Sequence, residues 1–318
     1  MATFSANNSS SAIHMDLIPQ FGGTIIPDSS QITVLSGSQR QNYYGTFTYG
    51  AGNDVFGTLT ATEYMNSSTG MSYNLSGLSY DAYTASRYIL AFSGRLLSMD
   101  LLSGDDTIIG TRYSDRLFGY GGNDVIRVTG TTGDTIDGGA GRDTVVFEYA
   151  KTGATISKGA NILVGSGISG TVLSNLANVE RIKFTDSAIA FDIDSNAGQA
   201  YRLYQAAFDR EPDAVGLGAQ INGLDIGMSL QQIAQNFMDS AEFKLKYGQS
   251  LTNEAFVNQL YANVLHRAPD AKGLADQISG LDSGISRAQL LINFSESPEN
   301  YKATLVGIQT GIEFIAAA

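Results

Sequence analysis

Residues 119–130 read GYGGNDVIRVTG and join a glycine-rich stretch to an alternating apolar one. Glycine adopts backbone conformations that a Cβ forbids, so the glycines at 119, 121 and 122 predict a tight turn. Apolar side chains at alternate positions after Asp124 predict a short β-strand with one buried face. The stretch therefore predicts a turn and a strand with one carboxylate where they meet.

This turn-and-strand unit recurs with a nearly constant period. Successive aspartates are spaced by 9, 9, 10 and 9 residues, and an aliphatic residue follows two positions after each. The pairs are Asp106 and Ile108, Asp115 and Leu117, Asp124 and Ile126, Asp134 and Ile136, and Asp143 and Val145. An isolated copy, GAGNDVF, stands at 50–56. Ordinary Asx turns between hairpin strands would also contain Asp and Gly, but they do not require this register.

The pattern G-G-x-G-x-D-x-U-x describes six turn residues and three strand residues, where U is an inward aliphatic residue. If two such units form one coil, Asp106, Asp124 and Asp143 line one edge, and Asp115 and Asp134 line the other. Stacked turns would then present carboxylate and carbonyl oxygens, the ligands that Ca²⁺ prefers. The predicted calcium-binding residues are Asp54, Asp106, Asp115, Asp124, Asp134 and Asp143, with Gly52, Gly104, Gly119, Gly121, Gly122, Gly139 and Gly141.

The repeats resemble the RTX nonapeptide family, whose calcium-binding parallel β-rolls occur in bacterial proteins exported by type I secretion. GYGGNDVIR and GGAGRDTVV carry the resemblance, whereas GTRYSDRLF at 110–118 lacks two of the glycines and VTGTTGDTI has threonine in place of the third. The stretch at 173–194 resembles the strands that end such rolls. The resemblance implies a parallel β-roll, bound Ca²⁺ and an extracellular or cell-surface location.

The C-terminal part changes to apolar residues at helical spacing and contains a second repeat, offset by 57 residues. LYQAAFDREPDAVGLGAQINGLDIGMS at 203 returns as LYANVLHRAPDAKGLADQISGLDSGIS at 260. Its R-x-P-D-x-x-G-L signature resembles a domain of unknown function that often follows RTX repeats. We expect the proline and aspartate to begin a helix and the arginine to pair with a carboxylate, rather than to form a second ligand site.

These patterns predict an α+β multidomain chain. Residues 1–100 are expected to form a β-rich domain with one isolated RTX-like turn. Residues 101–195 are expected to form the calcium-binding parallel β-roll with its capping strands. Residues 196–318 are expected to form a helical bundle of two 57-residue repeats with a C-terminal tail.

Composition excludes several kinds of function. The formal net charge is −12, and the first 150 residues contain no lysine, so nucleic acid would be repelled. No run of about 20 apolar residues predicts a membrane span, and the first residues lack the basic and apolar regions of a secretory signal. Cysteine is absent, so thiolate sites and disulfides are excluded. The only histidines, His14 and His266, have no catalytic partner visible in the sequence, and no catalytic residue is predicted.

The sequence favours a non-enzymatic, secreted structural protein of a bacterial surface. Its expected partner is a second copy of itself, in an S-layer, filament or biofilm matrix that assembles with calcium. Two alternatives remain open. One is an adhesin module that binds cell-surface polysaccharide through its tyrosine-rich β region, and the other is an export cassette of an RTX enzyme whose catalytic part would have to fit in residues 1–100.

Overall fold

The structure is a computed structural model that describes residues 1–6, 9–13, 15, 23–51, 54–91, 93–130, 132–166, 173–248 and 251–316. The chain divides into two compact units, Met1–Asp186 and Ser187–Ala318. Among the described helices, none has both the length and the apolar character needed to cross a membrane. The predicted α+β class with a parallel roll and a helical C-terminal part is confirmed.

The first part of unit 1 is an antiparallel sheet with two helices on one face. Its elements are β1 (Thr3–Ser5), β2 (Thr24–Pro27), β3 (Gln31–Ser36), β4 (Gln39–Tyr49), β5 (Val55–Asn66), β6 (Met71–Ser76), β7 (Tyr80–Asp81), α1 (Ala82–Leu90) and α2 (Gly94–Leu101). The strands β2 to β6 pair in chain order. Phe47 and Leu59 of the sheet form a small core with Ala82, Ala85 and Leu97 of the helices.

The two helices differ from the β structure predicted for residues up to 100. The carboxylate of Asp81 accepts a hydrogen bond from the backbone N–H of Thr84 at 2.7 Å and so caps α1. Ala82, Ala85 and Ser86 are buried on one face of α1, at the spacing of successive helical turns. This capping residue and these small residues are the signal that the β interpretation overlooked.

The second part of unit 1 is the predicted parallel roll. Its strands are β8 (Thr107–Ile109), β9 (Arg116–Phe118), β10 (Val125–Val128), β11 (Thr135–Asp137), β12 (Thr144–Phe147), β13 (Ala154–Lys158), β14 (Ile162–Ser166), β15 (Leu173–Ala177) and β16 (Arg181–Lys183). One parallel sheet has the order β8-β10-β12-β16, and the other has β9-β11-β15. The antiparallel strands β14 and β13 extend the second sheet.

The aliphatic residues of the repeat fill the interior of the roll. Ile108, Leu117, Ile126, Ile136 and Val145 are each 0% exposed. Chain-successive strands enter opposite sheets, so each coil buries one aliphatic residue from each side. Strand β16 adds a further rung, with Ile182 opposite Val145. The stretch at 173–194 thus contributes β15 and β16 to the end of the roll, as its resemblance to a strand cap implied.

The N-terminal residues form a rung of the roll that the repeat pattern did not reveal. Strand β1 pairs in parallel with β8, which places Phe4 opposite Ile108, and antiparallel with β6. On the other sheet, the carbonyl of Ile13 accepts a hydrogen bond from the N–H of Arg116 at 2.7 Å. Because β1 joins both parts, the predicted boundary at residue 100 lies inside one compact unit.

Unit 2 contains the two helical repeats. Its described elements are β17 (Ala188–Ala190), α3 (Asn196–Phe208), α4 (Ala214–Asp225), α5 (Leu230–Asp239), α6 (Ala241–Tyr247), α7 (Asn253–Val264), α8 (Ala271–Asp282), α9 (Arg287–Ser295), α10 (Pro298–Ile308) and β18 (Ile312–Phe314). Helices α3 to α6 correspond to α7 to α10, and residues from both sets share one hydrophobic core. Strands β17 and β18 pair antiparallel.

The R-x-P-D signature has the expected structural role in the first repeat. The carboxylate of Asp213 accepts from the N–H of Gly216 at 2.7 Å and caps α4. Arg210 makes a two-pronged ion pair with Glu242, at 2.7 and 3.1 Å. Pro212 precedes the capping residue instead of opening the helix, because Asp213 itself is the N-cap.

The second repeat shows the same arrangement. Asp270 caps α8, and Arg267 pairs with Glu299 at 2.8 and 2.9 Å. His266, the counterpart of Asp209, lies at the end of α7 in a left-handed conformation like that of Asp209, and its side chain is largely exposed. His14 lies outside the described residues.

We expect Phe4→Ala to destabilise unit 1 by about 3–5 kcal/mol, because it removes a fully buried ring from the first rung. Phe4 is 1% exposed, whereas Phe56 of β5 is 44% exposed. Phe56→Ala is therefore the matched control. Differential scanning calorimetry with calcium present measures both, and equal effects of the two substitutions would contradict the packing of this rung.

Candidate metal centre

The repeat aspartates lie at two edges of the roll. Asp106, Asp124 and Asp143 precede β8, β10 and β12, and the turns that contain them are called the first edge. Asp115 and Asp134 precede β9 and β11, and their turns are called the second edge. All five side chains are buried, with at most 3% exposed. The structure thus brings the predicted carboxylates into two stacks, one at each edge.

Each carboxylate is linked to the neighbouring coil by a hydrogen bond. Oδ1 of Asp124 accepts from the backbone N–H of Asp106 at 2.8 Å, and Oδ1 of Asp143 accepts from the N–H of Asp124 at 2.8 Å. On the second edge, Oδ1 of Asp134 accepts from the N–H of Asp115 at 2.8 Å. A charged acceptor makes these bonds stronger than neutral ones. The ladder explains why a short acidic side chain recurs at this position.

Other residues end the two ladders, and the sequence pattern did not identify them. On the first edge, Asp106 accepts from the N–H of Ala2, and the carboxylate of Glu180 accepts from the N–H of Asp143 at 2.9 Å. On the second edge, the hydroxyl of Ser174 accepts from the N–H of Asp134 at 3.2 Å. The only signal in the sequence was the likeness of 173–194 to the end of a roll.

The remaining carboxylate oxygens of the first edge have no hydrogen-bond partner in the described structure. Oδ2 of Asp106, Asp124 and Asp143 are all buried and unsatisfied. A buried, charged oxygen without a partner destabilises the folded state by roughly several kcal/mol, unless a bound cation or proton neutralises its charge. The first edge therefore offers a row of anionic oxygens suited to a cation.

Glycines allow carbonyl oxygens to approach these carboxylates. A Cβ on Gly119 would lie 2.2 Å from the carbonyl oxygen of Gly138 and 2.3 Å from Oδ2 of Asp124. A Cβ on Gly138 would lie 2.1 Å from the carbonyl oxygen of Asn178 and 2.5 Å from Oδ2 of Asp143. Each glycine thus leaves room where a carboxylate and a carbonyl of the next turn come together. This oxygen-only set suits Ca²⁺.

The turns of the first edge also require left-handed backbone. Tyr120, Gly122, Gly139 and Gly141 have φ of 69°, 103°, 99° and 132°. Gly121 bridges to Ala140 of the next coil. Gly104 differs from the other predicted glycines, since its φ is not positive and no atom lies within 4 Å of the position of a Cβ.

The isolated copy at 50–56 has a different setting. Asp54 lies in the loop of the antiparallel hairpin of β4 and β5, not in a turn of the parallel coils, and its carbonyl accepts from the N–H of Gly50. Gly52 lies outside the described residues. Within the described ranges, no three His, Asp or Glu side chains converge. An ion at the roll would therefore take carbonyl oxygens in addition to carboxylates.

Burial perturbs the ionisation of the aspartates. The pKa is raised to about 7 for Asp124 and Asp134 and to about 6 for Asp143, with desolvation as the largest cause and neighbouring carboxylates as a further contribution to the increase. The pKa of Asp106 is raised for the same reason. Hydrogen bonds from backbone N–H groups oppose this increase. The calcium-free roll therefore holds protons where a cation would otherwise neutralise charge.

Comparison with protein families matches both parts of the chain. The model of the RTX calcium-binding nonapeptide repeat (4 copies) matches residues 102–130 and 128–146. The model of a domain of unknown function, DUF4214, matches residues 193–244 and 234–304. The chain thus contains RTX repeats, followed by a C-terminal DUF4214 region. RTX repeats bind Ca²⁺, and they are typical of extracellular proteins exported by type I secretion.

Comparisons with individual proteins add little. No curated protein matches the chain. Among solved structures, the extracellular lipase LipA from Serratia marcescens is similar over 27% of this chain, with 18% identity and a TM-score of 0.25. The matched part spans 15% of the lipase chain. We draw nothing about activity from this likeness.

Without calcium, we expect the free energy of unfolding of the roll to fall as the pH rises from about 4 to about 7. The folded aspartates have a pKa above the ordinary value of 3.8, so in this window the folded state binds more protons than the unfolded state. Urea titrations in calcium-depleted buffer measure the slope. Asp124→Asn retains the Oδ1 acceptor and should flatten the slope; an unchanged slope would contradict the assignment.

We expect Gly141→Ala to destabilise the calcium-bound roll by at least about 1 kcal/mol, because alanine is strained at positive φ. The new Cβ would also lie 1.9 Å from the carbonyl oxygen of Gly122. Gly104→Ala is the control and should change stability by less than about 0.5 kcal/mol. Thermal unfolding monitored by circular dichroism compares the two. Equal destabilisation would show that the left-handed turn at Gly141 is unimportant.

Proposed function

We propose that this chain is a secreted, calcium-dependent structural protein of a bacterial surface that self-associates into a layer, filament or matrix. The observation that supports it most strongly is the row of buried, unsatisfied oxygens on the first edge. A roll with such oxygens is most stable where Ca²⁺ is abundant, as it is outside cells. Extracellular calcium modules commonly bind with a Kd of about 10⁻⁴ to 10⁻³ M.

Calcium would couple export to folding. An ion that binds only the folded roll stabilises it by mass action, by about 2.7 kcal/mol at a concentration 100 times the Kd. The net charge of −12 adds repulsion in the calcium-free chain, which bound cations reduce. The roll would therefore be loose at low calcium and would become ordered after the chain reaches a calcium-rich medium.

A non-enzymatic role agrees with both family matches, because RTX repeats and DUF4214 regions are non-catalytic in kind. All five aspartates take part in the hydrogen bonds that link neighbouring coils, and these bonds stabilise the folded roll. We therefore propose no catalytic role for the roll or for the helical unit.

Self-association is supported by the sheet end at β2. All four residues of β2 are exposed, and among the described strands it pairs only with β3. Ile25 and Ile26 are 55% and 50% exposed. Next to β2, an apolar cavity of about 310 Å³ lies between the sheet and α1, with Ile25 and Leu90 in its lining. An exposed apolar edge strand is a template for pairing with another chain. We propose a second copy of this chain as the partner.

One observation favours glycan binding as a second candidate. Phe56 and Tyr83 are both exposed and stack with ring centroids 5.4 Å apart and an interplanar angle of 4°. Exposed aromatic rings present an apolar face to a ligand at the surface. A calcium-loaded chain that stays monomeric and binds glycans on an array would support this function over self-assembly.

We expect ordered arrays or filaments in electron microscopy when calcium is present and monomers in chelator. Ile26→Lys should abolish assembly, since a charged edge strand resists pairing, and should leave calcium binding intact. Val306→Lys is the control, because Val306 of α10 is 77% exposed in the helical unit. Monomers at all calcium concentrations, or loss of assembly in both variants, would contradict the proposal.

A further inference from the structure

We propose that calcium binds at the first edge, and that protein hydrogen bonds take the place of calcium at the second-edge turn 110–115. This inference rests on the calcium-dependent function proposed above and identifies which turns carry it. It departs from the sequence expectation, which assigned calcium-binding aspartates to both edges. The two edges have the same spacing of aspartates but different partners for their oxygens.

On the first edge, the ladder uses one oxygen of each carboxylate and leaves the other free of protein donors. Asp124 is 1% exposed, and its Oδ2 has no hydrogen-bond partner in the described structure. That oxygen is directed toward Gly119, where the carbonyl oxygen of Gly138 also approaches. The site therefore combines a buried anionic oxygen with a carbonyl oxygen from the next coil, and both are acceptors. A cation would be coordinated by both acceptors, and no protein donor forms a hydrogen bond with Oδ2 in the described structure.

On the second edge, protein donors occupy both oxygens of Asp115. Its Oδ2 accepts from the backbone N–H of Thr111 at 2.6 Å. Its Oδ1 accepts from the hydroxyl of Thr111 at 2.8 Å and from the N–H of Ile13 at 2.6 Å. Three charge-assisted hydrogen bonds provide the stabilisation that a buried carboxylate needs. Binding an ion here would require that these bonds be broken.

The backbone of the turn 110–115 differs from that of the turns 119–124 and 138–143. Four positions before the aspartate, the turns 119–124 and 138–143 have Tyr120 and Gly139, both in left-handed conformations. The same position before Asp115 is Thr111, whose φ is not positive and whose N–H donates to the carboxylate, whereas Gly130 before Asp134 has a φ of 117°. Arg112 follows Thr111, so a fixed positive charge lies in this turn. The turn that lacks the glycines, GTRYSDRLF, is therefore stabilised by hydrogen bonds from Thr111 to Asp115.

The ends of the two stacks also differ in charge. The first edge continues beyond Asp143 with the carboxylate of Glu180, which accepts from the N–H of Asp143 at 2.9 Å. The second edge continues beyond Asp134 with the neutral hydroxyl of Ser174. The first edge therefore ends on a further carboxylate, whereas the second edge ends on an uncharged side chain. The turn 110–115 would keep its order without calcium.

The test measures calcium bound to the full chain by equilibrium dialysis and isothermal titration. Asp124→Asn and Asp143→Asn alter the first edge, and Asp115→Asn is the matched change in the turn 110–115; all three keep an Oδ1 acceptor. We expect the first-edge variants to lose bound calcium or at least about tenfold in affinity, because ligand charge sets calcium affinity. We expect Asp115→Asn to keep the number of bound ions and to change affinity by less than about twofold.

Hydrogen exchange of the unmodified chain gives an independent readout. In chelator, amides of residues 119–124 and 138–143 should lose protection, whereas those of 110–115 should keep it. Equal loss of calcium in Asp115→Asn and Asp124→Asn, or equal loss of protection at 110–115 and at 119–124, would overturn this assignment and leave the calcium-dependent function standing. If the unmodified chain binds no calcium, both proposals fail.

Discussion

The structure of unit 1 depends on carboxylates that are buried between the coils of a parallel roll. Each aspartate gives one oxygen to the backbone of the preceding coil, as in the 2.8 Å bond from the N–H of Asp106 to Asp124. This bond fixes the vertical register of the coils, because the donor and acceptor lie in successive rungs. On the first edge the other oxygen stays without a protein donor. The same side chain therefore holds the coils together and creates the demand for a cation.

The N-terminal rung extends this constraint to the rest of unit 1. Strand β1 contributes Phe4 to the roll interior, and its neighbour β6 belongs to the antiparallel sheet. Asp106 accepts from the N–H of Ala2, so the first-edge ladder reaches this rung, and Ile13 does the same for the second edge through Asp115. The roll and the sheet that ends at β2 are therefore joined through β1, so that ordering of the roll also stabilises the sheet. Calcium at the roll can thereby stabilise the surface that we propose for self-association.

The helical unit is held by a different set of interactions. Its two repeats share one hydrophobic core. In each repeat, an arginine–glutamate ion pair and an aspartate N-cap stabilise the turn before the second helix. The buried Arg202 pairs with Glu296 at 2.6 Å and also donates to the carbonyl of Ile193. These contacts form between protein groups and require no ion. The R-x-P-D signature is accordingly a structural element, which agrees with its recurrence in both repeats at the same helix start.

The sequence by itself determined the roll, the helical repeats and the inward aliphatic positions, because both periods are imposed locally: a turn and strand every nine residues, and caps with apolar faces at helical spacing. It also indicated the aspartates, since each stands in the same place within its own repeat. Only the tertiary structure decided which oxygens remain free. Thr111 and Ile13 satisfy Asp115, whereas no protein donor reaches Oδ2 of Asp124. The bonds from Thr111 are local, but the bond from Ile13 and the rung formed by β1 are contacts about a hundred residues apart in the chain, which no local period encodes.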